Sequence, residues 1–182
     1  MNPPFDPRSL ANFIIRLGEE YHLDVTQISL QKVCYFINGR YYLDNGIQLV
    51  SGYFETWRYG PVHPLIYNEF KKYGNKSILH KASIRNLKTG ESKEAPEPDD
   101  PYLRRFITRA TLELLPLGST RLVNLSHAKN SPWDILTRAG GDERKFGMRI
   151  TEEVYTTHFR NQLASVSDTS SSGEEYVETP PP

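Results

Sequence analysis

Three pairs of a capping residue and a proline, Asp6-Pro7, Asp100-Pro101 and Ser131-Pro132, constrain the fold of this chain most. Each pair precedes apolar residues that recur at helical spacing. A capping oxygen accepts a hydrogen bond from a free N–H of the first turn, and proline is tolerated there because its missing N–H would have no partner. The pairs therefore predict helices that begin at these points and a largely helical frame.

The first two helices are predicted from their apolar stripes. The first follows Pro7, and the second follows Asp24 or Thr26 and ends near Asn45-Gly46. Both helices are expected to be amphipathic and to bury one stripe. The first stripe comprises Leu10, Phe13, Ile14, Leu17 and Tyr21, and the second comprises Leu30, Val33, Cys34, Ile37 and Tyr41.

Residues 47–59 change to a strand-like pattern. Side chains of a strand alternate between two faces, and bulky residues occur here on both, so both faces are expected to be partly covered. Gly60-Pro61 is expected to end the strand, and a helix with Val62, Ile66 and Phe70 on its core face is expected to follow. One strand face carries Tyr53, Glu55, Trp57 and Tyr59, and the other carries Phe54, Thr56 and Arg58.

The remaining patterns complete the predicted architecture. Caps at Ser119 and Thr151 add helices, and residues 78–84 form a weaker strand. The predicted fold class is mainly α with a small β-sheet (α+β), with roughly seven helices and two or three short strands in a single domain, residues 1–164. Residues 165–182 are rich in Ser, Thr, Glu and Pro. Such a composition buries too little apolar surface to offset the entropy of ordering, so these residues are predicted to form a disordered acidic tail.

Charge is distributed unevenly along the 182 residues, although the basic and acidic totals are equal. The tail holds four carboxylates and no Lys or Arg, which leaves 22 basic against 18 acidic residues in the rest of the chain. This surplus is far below the dense basic face that duplex DNA requires, which argues against a nucleic-acid partner. It favours docking of a protein that carries an acidic patch.

Several classes of protein are excluded by what the sequence lacks. The single cysteine, Cys34, permits no intramolecular disulfide. The N-terminal segment has neither the basic nor the apolar region of a secretory signal, and no apolar run approaches the roughly 20 residues that span a bilayer. The chain is therefore predicted to be cytoplasmic, without a membrane partner.

Catalytic and cofactor-binding motifs are also missing. The sequence contains no GxxxxGK[ST], GxGxxG or HExxH motif, and its five histidines have no metal-ligand spacing. Cys34 falls on an apolar stripe and is predicted to be a buried hydrophobe. His63 is predicted to be exposed or to cap a helix, and His127 to lie near a helix C-terminus, where the dipole favours it. The sequence thus predicts no enzyme, no cofactor and no metal site.

Three segments, SLQKVCYFINGRYY, FETWRYGPVHPLIYNEFKKYG and LVNLSHAKNSPWD, resemble the Panacea domain in their order and spacing. The resemblance covers about residues 8–162 and departs from the family pattern at Ser126 and at Asn130-Ser131. The matched positions are Leu30, Gln31, Lys32 and Tyr35 in the first segment; Glu55, Trp57, Arg58, Tyr59, Gly60, Pro61, Val62 and Tyr67 in the second; and His127, Pro132 and Trp133 in the third.

The resemblance implies a mostly helical domain with a small sheet and no known catalysis. The family is known from antitoxins and phage-associated proteins, so it implies an antitoxin that neutralises a cognate protein toxin by direct binding. Two alternatives remain open: an adaptor that delivers the toxin to a AAA+ protease, and a nucleic-acid-binding autoregulator. Against the second alternative, strand alternation places Arg58 on the face opposite Trp57 and Tyr59, away from a shared base-stacking platform.

Two sets of residues are predicted to matter. The candidate partner-binding residues are Lys32, Tyr35, Trp57, Arg58, Tyr59, His63, Tyr67 and His127. The structural motif comprises Leu30, Gly60, Pro61, Val62, Pro132 and Trp133. The alternative is that the Trp57–Tyr59 edge and the Lys32–Tyr35 face are both core and hold the strand against the second helix. This core role is the favoured one for Trp57, whereas for Arg58 and Lys32 both roles stay open.

Overall fold

The predicted capping pairs begin helices in the computed structural model, which describes residues 2–139, 145–163 and 178–181. Helices α1 (Pro7–Tyr21), α4 (Pro101–Leu114) and α6 (Pro132–Arg138) each start at the proline. The side chain of the preceding residue accepts a bond from the first turn in every case, at 2.9 Å from Arg8 N, 2.8 Å from Leu103 N and 3.1 Å from Asp134 N.

The other elements confirm a mainly helical α+β fold in one domain. The further helices are α2 (Gln27–Asn45), α3 (Pro64–Phe70), α5 (Gly118–Ser126), α7 (Glu152–His158) and α8 (Arg160–Leu163), with 3-10 turns at Lys71–Tyr73 and Leu115–Leu117. The strands are β1 (Glu55–Trp57), β2 (Gly60–Val62), β3 (Ser83–Arg85) and β4 (Ser92–Glu94). They form two antiparallel hairpins, β1–β2 and β3–β4. No helix among the described residues is both long and apolar enough to cross a bilayer.

Helix α2 is the centre of the fold. Helices α1, α3, α4, α5 and α7 and strand β2 all pack against it. Fourteen of its nineteen residues are buried, so the expectation of an amphipathic helix with one buried stripe is wrong for α2. Its polar residues Gln31, Lys32 and Asn38 are therefore inside the protein, each at most 1% exposed.

Buried amide side chains bond the backbone of irregular segments to the helices. Asn38 Oδ1 accepts hydrogen bonds from Leu49 N at 3.0 Å and from Val50 N at 3.2 Å. On α1, Asn12 Nδ2 donates to the carbonyl oxygens of Ala82 and Ala95, at 2.9 and 3.0 Å, and its Oδ1 accepts from Ala82 N at 2.7 Å. These bonds satisfy buried backbone groups, and Ala82 O accepts a second bond from Ala95 N at 2.9 Å.

Two further expectations about the helices are wrong. Tyr21 belongs to the predicted stripe of α1 but is 46% exposed, because α1 ends there and His22 turns the chain away with φ of 55°. Ser119 does not cap α5, since the helix already begins at Gly118, directly after a 3-10 turn. Its hydroxyl lies instead 3.0 Å from Thr26 Oγ1, at the start of α2.

The predicted strand of residues 47–59 is a hairpin. Gly60-Pro61 does not end it; these residues enter β2, which pairs Trp57 with Gly60 and Glu55 with Val62. Arg58 and Tyr59 form the two-residue connection, so the prediction that Tyr59 shares a strand face with Trp57 is wrong. Val62 accordingly belongs to β2, and the following helix starts only at Pro64.

Both faces of β1 are covered, as predicted, since the neighbouring residues Thr56 and Trp57 point to opposite faces and are both buried. A further segment pairs with the outer edge of β1. Thr56 N donates to Met148 O at 2.9 Å, and Gly147 N donates to Thr56 O at 2.6 Å. The second hairpin is shorter than the predicted strand at residues 78–84: pairing begins at Ser83, whereas Ile78 N bonds to Val25 O at 2.8 Å.

The C-terminal tail is described only in part. Residues 164–177 and Pro182 lie outside the described residues, so the predicted disorder of 165–182 stays a prediction for them. The described piece, residues 178–181, lies against the β1–β2 hairpin: Tyr59 N donates to the Glu178 carboxylate, and Glu178 is 5% exposed.

Substitution of Gly39 tests the close packing on α2. A Cβ at Gly39 would overlap the ring of Phe159, which is itself fully buried. We expect Gly39→Ala to lower the free energy of unfolding by about 1–3 kcal/mol through overpacking. Alanine's better helix propensity, about 1 kcal/mol, offsets only part of this loss. Urea unfolding measures the difference.

The matched control is the double variant Gly39→Ala/Phe159→Leu. The smaller side chain makes room for the new methyl group, so the two substitutions are expected to be non-additive and the double variant more stable than the sum of the single effects. A Gly39→Ala variant as stable as the wild type would contradict the packing described here.

Candidate functional site

The three sequence segments that resemble the Panacea domain meet at Gly60. Its φ of +104° lies in the region that side chains rarely adopt. A Cβ there would overlap Ser126 Oγ of α5 and lie 2.8 Å from Lys32 Cε of α2. Glycine therefore allows α2, α5 and the hairpin to approach one another at one point.

Trp133 fastens the tip of this hairpin. Its Nε1 donates to Trp57 O at 2.7 Å, and its ring stacks on His127 with centroids 3.6 Å apart. Ser131 Oγ donates to Ser126 O at 3.1 Å and ties the start of α6 to the end of α5. All six residues of the predicted structural motif are buried.

Gln31 holds the exit of the hairpin from the other side. Its Oε1 accepts from His63 N at 2.9 Å and its Nε2 donates to His63 O at 3.3 Å. His63 occupies the N-cap position of α3, as one of the two predicted alternatives has it, but its side chain makes no capping bond. The other alternative, exposure, is wrong, because His63 is 4% exposed. Its Nε2 lies 3.0 Å from Ser51 O, and burial lowers the pKa of His63 despite this contact.

Tyr35 and Cys34 lie in the core beneath the site. Tyr35 is fully buried among aromatic rings, including Phe54 and Tyr155, and its hydroxyl accepts a hydrogen bond from Gln162 Nε2 at 2.9 Å. Burial raises the pKa of the Cys34 thiol far above neutrality, so the thiolate that a nucleophile requires does not form there.

Lys32 extends from α2 to the back of the hairpin and is fully buried. Its Nζ donates to Pro61 O at 3.2 Å and lies 3.8 Å from Glu178 Oε2. Tyr59 N donates to the other carboxylate oxygen, Oε1, at 3.3 Å. Burial lowers the pKa of Lys32 to about 8, although Glu178 opposes this shift, and burial raises the pKa of Glu178. We call Lys32, Tyr59, Gly60, Pro61 and Tyr67 the Lys32 slot.

The edge of the slot is aromatic and basic. Arg58 is exposed, and Tyr59 and Tyr67 are half-buried. The Tyr67 ring packs edge-on against Trp57 at 4.7 Å, and the Arg58 guanidinium lies 5.6 Å from the centre of the Tyr59 ring. We call Arg58, Tyr59 and Tyr67 the rim.

The structure thus separates the candidate partner-binding residues by position. Lys32, Arg58, Tyr59 and Tyr67 come together at one surface, whereas Tyr35 and His63 lie below it in the interior. Trp57 is 4% exposed and supports the rim from beneath, and His127, half-buried, stacks on Trp133. Sequence reasoning missed Glu178, because nothing in the sequence separates it from the other three tail carboxylates. Among the described residues, no group of three or more His, Cys, Asp and Glu side chains is placed to bind a metal.

Fold and site together define a single α+β domain in which three sequence segments converge on a buried, carboxylate-paired lysine. The chain belongs to the antitoxin SocA-like, Panacea domain family, whose model matches residues 30–134 and so includes all the matched positions quoted above. Antitoxin SocA of Caulobacter vibrioides (strain NA1000 / CB15N) is 34% identical over 176 residues, which is 97% of this chain and 94% of that protein. No solved structure matches the chain. Membership in this family supports an antitoxin role and implies a cognate toxin as partner.

Titration of His63 gives a test of its burial. Its folded pKa lies below the ordinary value of 6.5, so the unfolded chain binds more protons as the pH falls below about 6.5. As the pH falls, protonation of His63 should therefore lower the free energy of unfolding, by at most about 1.4 kcal/mol per pH unit. Urea unfolding of the wild type and His63→Gln between pH 7.5 and 5 measures the difference.

His63→Gln should lack this part of the acid sensitivity, so its loss of stability should be shallower than that of the wild type. His80→Gln, an exposed position, controls for loss of an imidazole. Parallel pH profiles for the wild type and His63→Gln would show that His63 titrates as a solvated histidine does.

Proposed function

We propose that this chain neutralises a cognate protein toxin by binding it directly through the rim of Arg58, Tyr59 and Tyr67. The supporting observation is that the matched segments divide into two groups. Gly60, Pro61 and Trp133 are buried where the elements join, whereas Arg58 and Tyr59 form the hairpin connection and reach the surface. The guanidinium of Arg58 is exposed and lies 5.6 Å from the centre of the Tyr59 ring, so a partner can reach both groups together.

The chemistry of the rim suits a protein interface. Tyr, Trp and Arg are the residue types that contribute most to binding energy at interfaces. Binding also costs less when the contacting groups are already ordered. The hairpin that carries Arg58 and Tyr59 of the rim is held by Gln31 on one side and by Trp133 on the other, so these two residues are presented on a fixed support.

The interior residues of the candidate set contribute to this proposal indirectly. Trp57 packs under Tyr67, and the His63 ring packs edge-on against Phe54 with centroids 5.2 Å apart. These contacts fix the direction of the rim without reaching a partner. A toxin would therefore meet the hairpin connection and the slot behind it, while the buried aromatic residues keep both in place.

The double variant Arg58→Ala/Tyr59→Ala tests the rim. We expect its affinity for the toxin to fall at least about tenfold, since truncating interface Arg and Tyr residues commonly costs over 1 kcal/mol each. Co-expression of the variant with the toxic product of the neighbouring open reading frame should fail to rescue growth. Calorimetric titration measures the affinity, and thermal unfolding should be close to that of the wild type because the rim is outside the core.

Tyr102→Ala/Arg105→Ala is the matched control, because it removes the same two residue types from exposed positions on α4. It should bind and rescue as the wild type does. Equal loss in both variants, or wild-type rescue by Arg58→Ala/Tyr59→Ala, would rule out the rim as the toxin-binding surface. A neighbouring gene product that is not toxic, or a wild-type chain that gives no rescue, would contradict the proposed function itself.

Delivery of the toxin to a AAA+ protease is a second candidate function, supported by the acidic composition of the tail. Replacing Asp168, Glu174 and Glu175 by their amides removes three of its carboxylates and keeps Glu178 against Lys32. If the tail recruits the protease by its charge, the half-life of the toxin in cells should lengthen while binding in vitro stays the same. An unchanged half-life contradicts delivery through these carboxylates and leaves direct neutralisation in place.

A further inference from the structure

We propose that the Lys32 slot is a receptor for a carboxylate side chain of the toxin, and that Glu178 of the chain's own C-terminal segment occupies it in the free protein. The tail and the toxin would then compete for one site. The identity of the competing partner rests on the proposed function, whereas the existence of a carboxylate receptor does not.

The slot contacts Glu178 through three different groups. The ammonium of Lys32 faces Oε2, the backbone N–H of Tyr59 donates to Oε1 at 3.3 Å, and the Tyr67 hydroxyl lies 3.5 Å from the Glu178 carbonyl oxygen, to which it donates. The side chains of Lys32 and Glu178 are 0% and 1% exposed. A buried cation, a backbone donor and a hydroxyl that contacts the main chain together suit an acidic residue within a peptide segment.

Glu178 occupies the slot but makes fewer hydrogen bonds there than a carboxylate could make. The Nζ–Oε2 separation of 3.8 Å exceeds hydrogen-bond length, and Oε2 has no hydrogen-bond donor among the described residues. An ammonium has three N–H donors, and within the described chain Lys32 uses one of them, on Pro61 O. A carboxylate seated about 1 Å closer would gain a charge-assisted hydrogen bond, whose usual length is about 2.7–2.9 Å. A better-placed carboxylate would therefore bind in the slot more strongly than Glu178 does.

Stability alone does not account for a lysine at this place. Burying an ion pair costs several kcal/mol in desolvation for each charge, and replacing such a pair by apolar residues is often neutral or stabilising. The lowered pKa of Lys32 and the raised pKa of Glu178 reflect this cost. A ligand that brings a carboxylate and more hydrogen bonds would offset it in the complex.

Glu178 occupies the slot despite its loose fit because the polypeptide chain tethers it to the domain. A tethered ligand competes at an effective concentration on the order of millimolar, with no need for tight contacts. Glu178 also lies outside the part of the chain that the family model matches, residues 30–134. The receptor residues thus belong to the shared domain, and the occupant comes from a segment outside the matched region.

A peptide in trans tests the slot without the toxin. The probe is a fluorescent peptide of residues 173–182, GEEYVETPPP, titrated against three full-length proteins: wild type, Glu178→Ala and Glu178→Ala/Lys32→Met. The emptied slot of Glu178→Ala should bind the peptide saturably. The wild type should bind it at least about tenfold more weakly, because apparent affinity falls with the fraction of protein whose site is free. The double variant Glu178→Ala/Lys32→Met should no longer bind the peptide.

A second peptide carrying Glu178→Gln keeps the test independent of how Lys32→Met folds. This peptide should bind the full-length Glu178→Ala protein at least about tenfold more weakly than the first peptide does, since it lacks the charge that pairs with Lys32. Equal binding of the two peptides, or equal binding of the first peptide by wild type and Glu178→Ala, would overturn the receptor.

The toxin supplies the other arm of the experiment. Glu178→Ala should bind the toxin more tightly than the wild type by the factor found for the peptide, and excess peptide should displace the toxin. If the toxin binds but neither Glu178→Ala nor excess peptide alters its affinity, the proposal of a shared site is wrong and the proposed function stands. If the peptide results hold and the wild type binds no toxin, the carboxylate receptor stands and the proposed function falls.

Discussion

The fold depends on the burial of α2 on all sides, and that burial is tolerable only because its polar residues are hydrogen-bonded. A buried amide without partners costs about 1–3 kcal/mol, and a buried charge costs more. Gln31 and Asn38 avoid this cost by bonding the backbone of His63 and of residues 49–50, and Lys32 by bonding Pro61 O. The segments that follow α2 in the chain are therefore attached to it by the very groups that would otherwise destabilise it.

This attachment makes the candidate site an extension of the core. Lys32 and Gln31 are neighbours on α2, and they bond consecutive parts of one hairpin: Lys32 bonds β2, and Gln31 bonds the residue after it. From the opposite side, Trp133 and Ser126 close on the same hairpin around Gly60. A shift of the hairpin by even one residue would break these contacts together, so the direction of the rim is set by packing throughout the domain.

The sequence predicted the parts of the fold that local chemistry decides. Capping oxygens and prolines located the starts of α1, α4 and α6 because those bonds form within one turn. The prediction that α2 exposes a polar face was wrong, because a helical period distinguishes only apolar from polar positions. In the sequence, a polar residue that bonds a buried backbone group looks the same as a solvated one. The pair Gly60-Pro61 predicts the end of a strand, as such pairs usually do, but β2 accommodates Pro61 in its middle position. Pro61 lies opposite Thr56, whose N–H and C=O bond residues 148 and 147 instead, so the missing N–H of Pro61 costs no ladder hydrogen bond.

The candidate site was predictable in its components and not in its arrangement. The matched segments contained Lys32, Arg58, Tyr59 and Tyr67, yet only their three-dimensional positions separate the rim from Trp57 and His63 beneath it. Glu178 is over a hundred residues from Tyr59 in the chain, and its pairing with Lys32 follows no local rule.

If the rim binds a toxin as proposed, the division between support and rim decides which residues can change without loss of the fold. Gly60 and Trp133 are constrained by steric fit and buried hydrogen bonds, so replacing them changes the fold before it changes recognition. Arg58 and Tyr59 occupy a hairpin connection whose side chains the ladder does not require, and they can vary at little cost to stability. The Lys32 slot behind that connection would, as proposed, add a fixed point of attachment for a toxin that presents a carboxylate. Variation in the rim would then select among partners that all share this one anchoring charge.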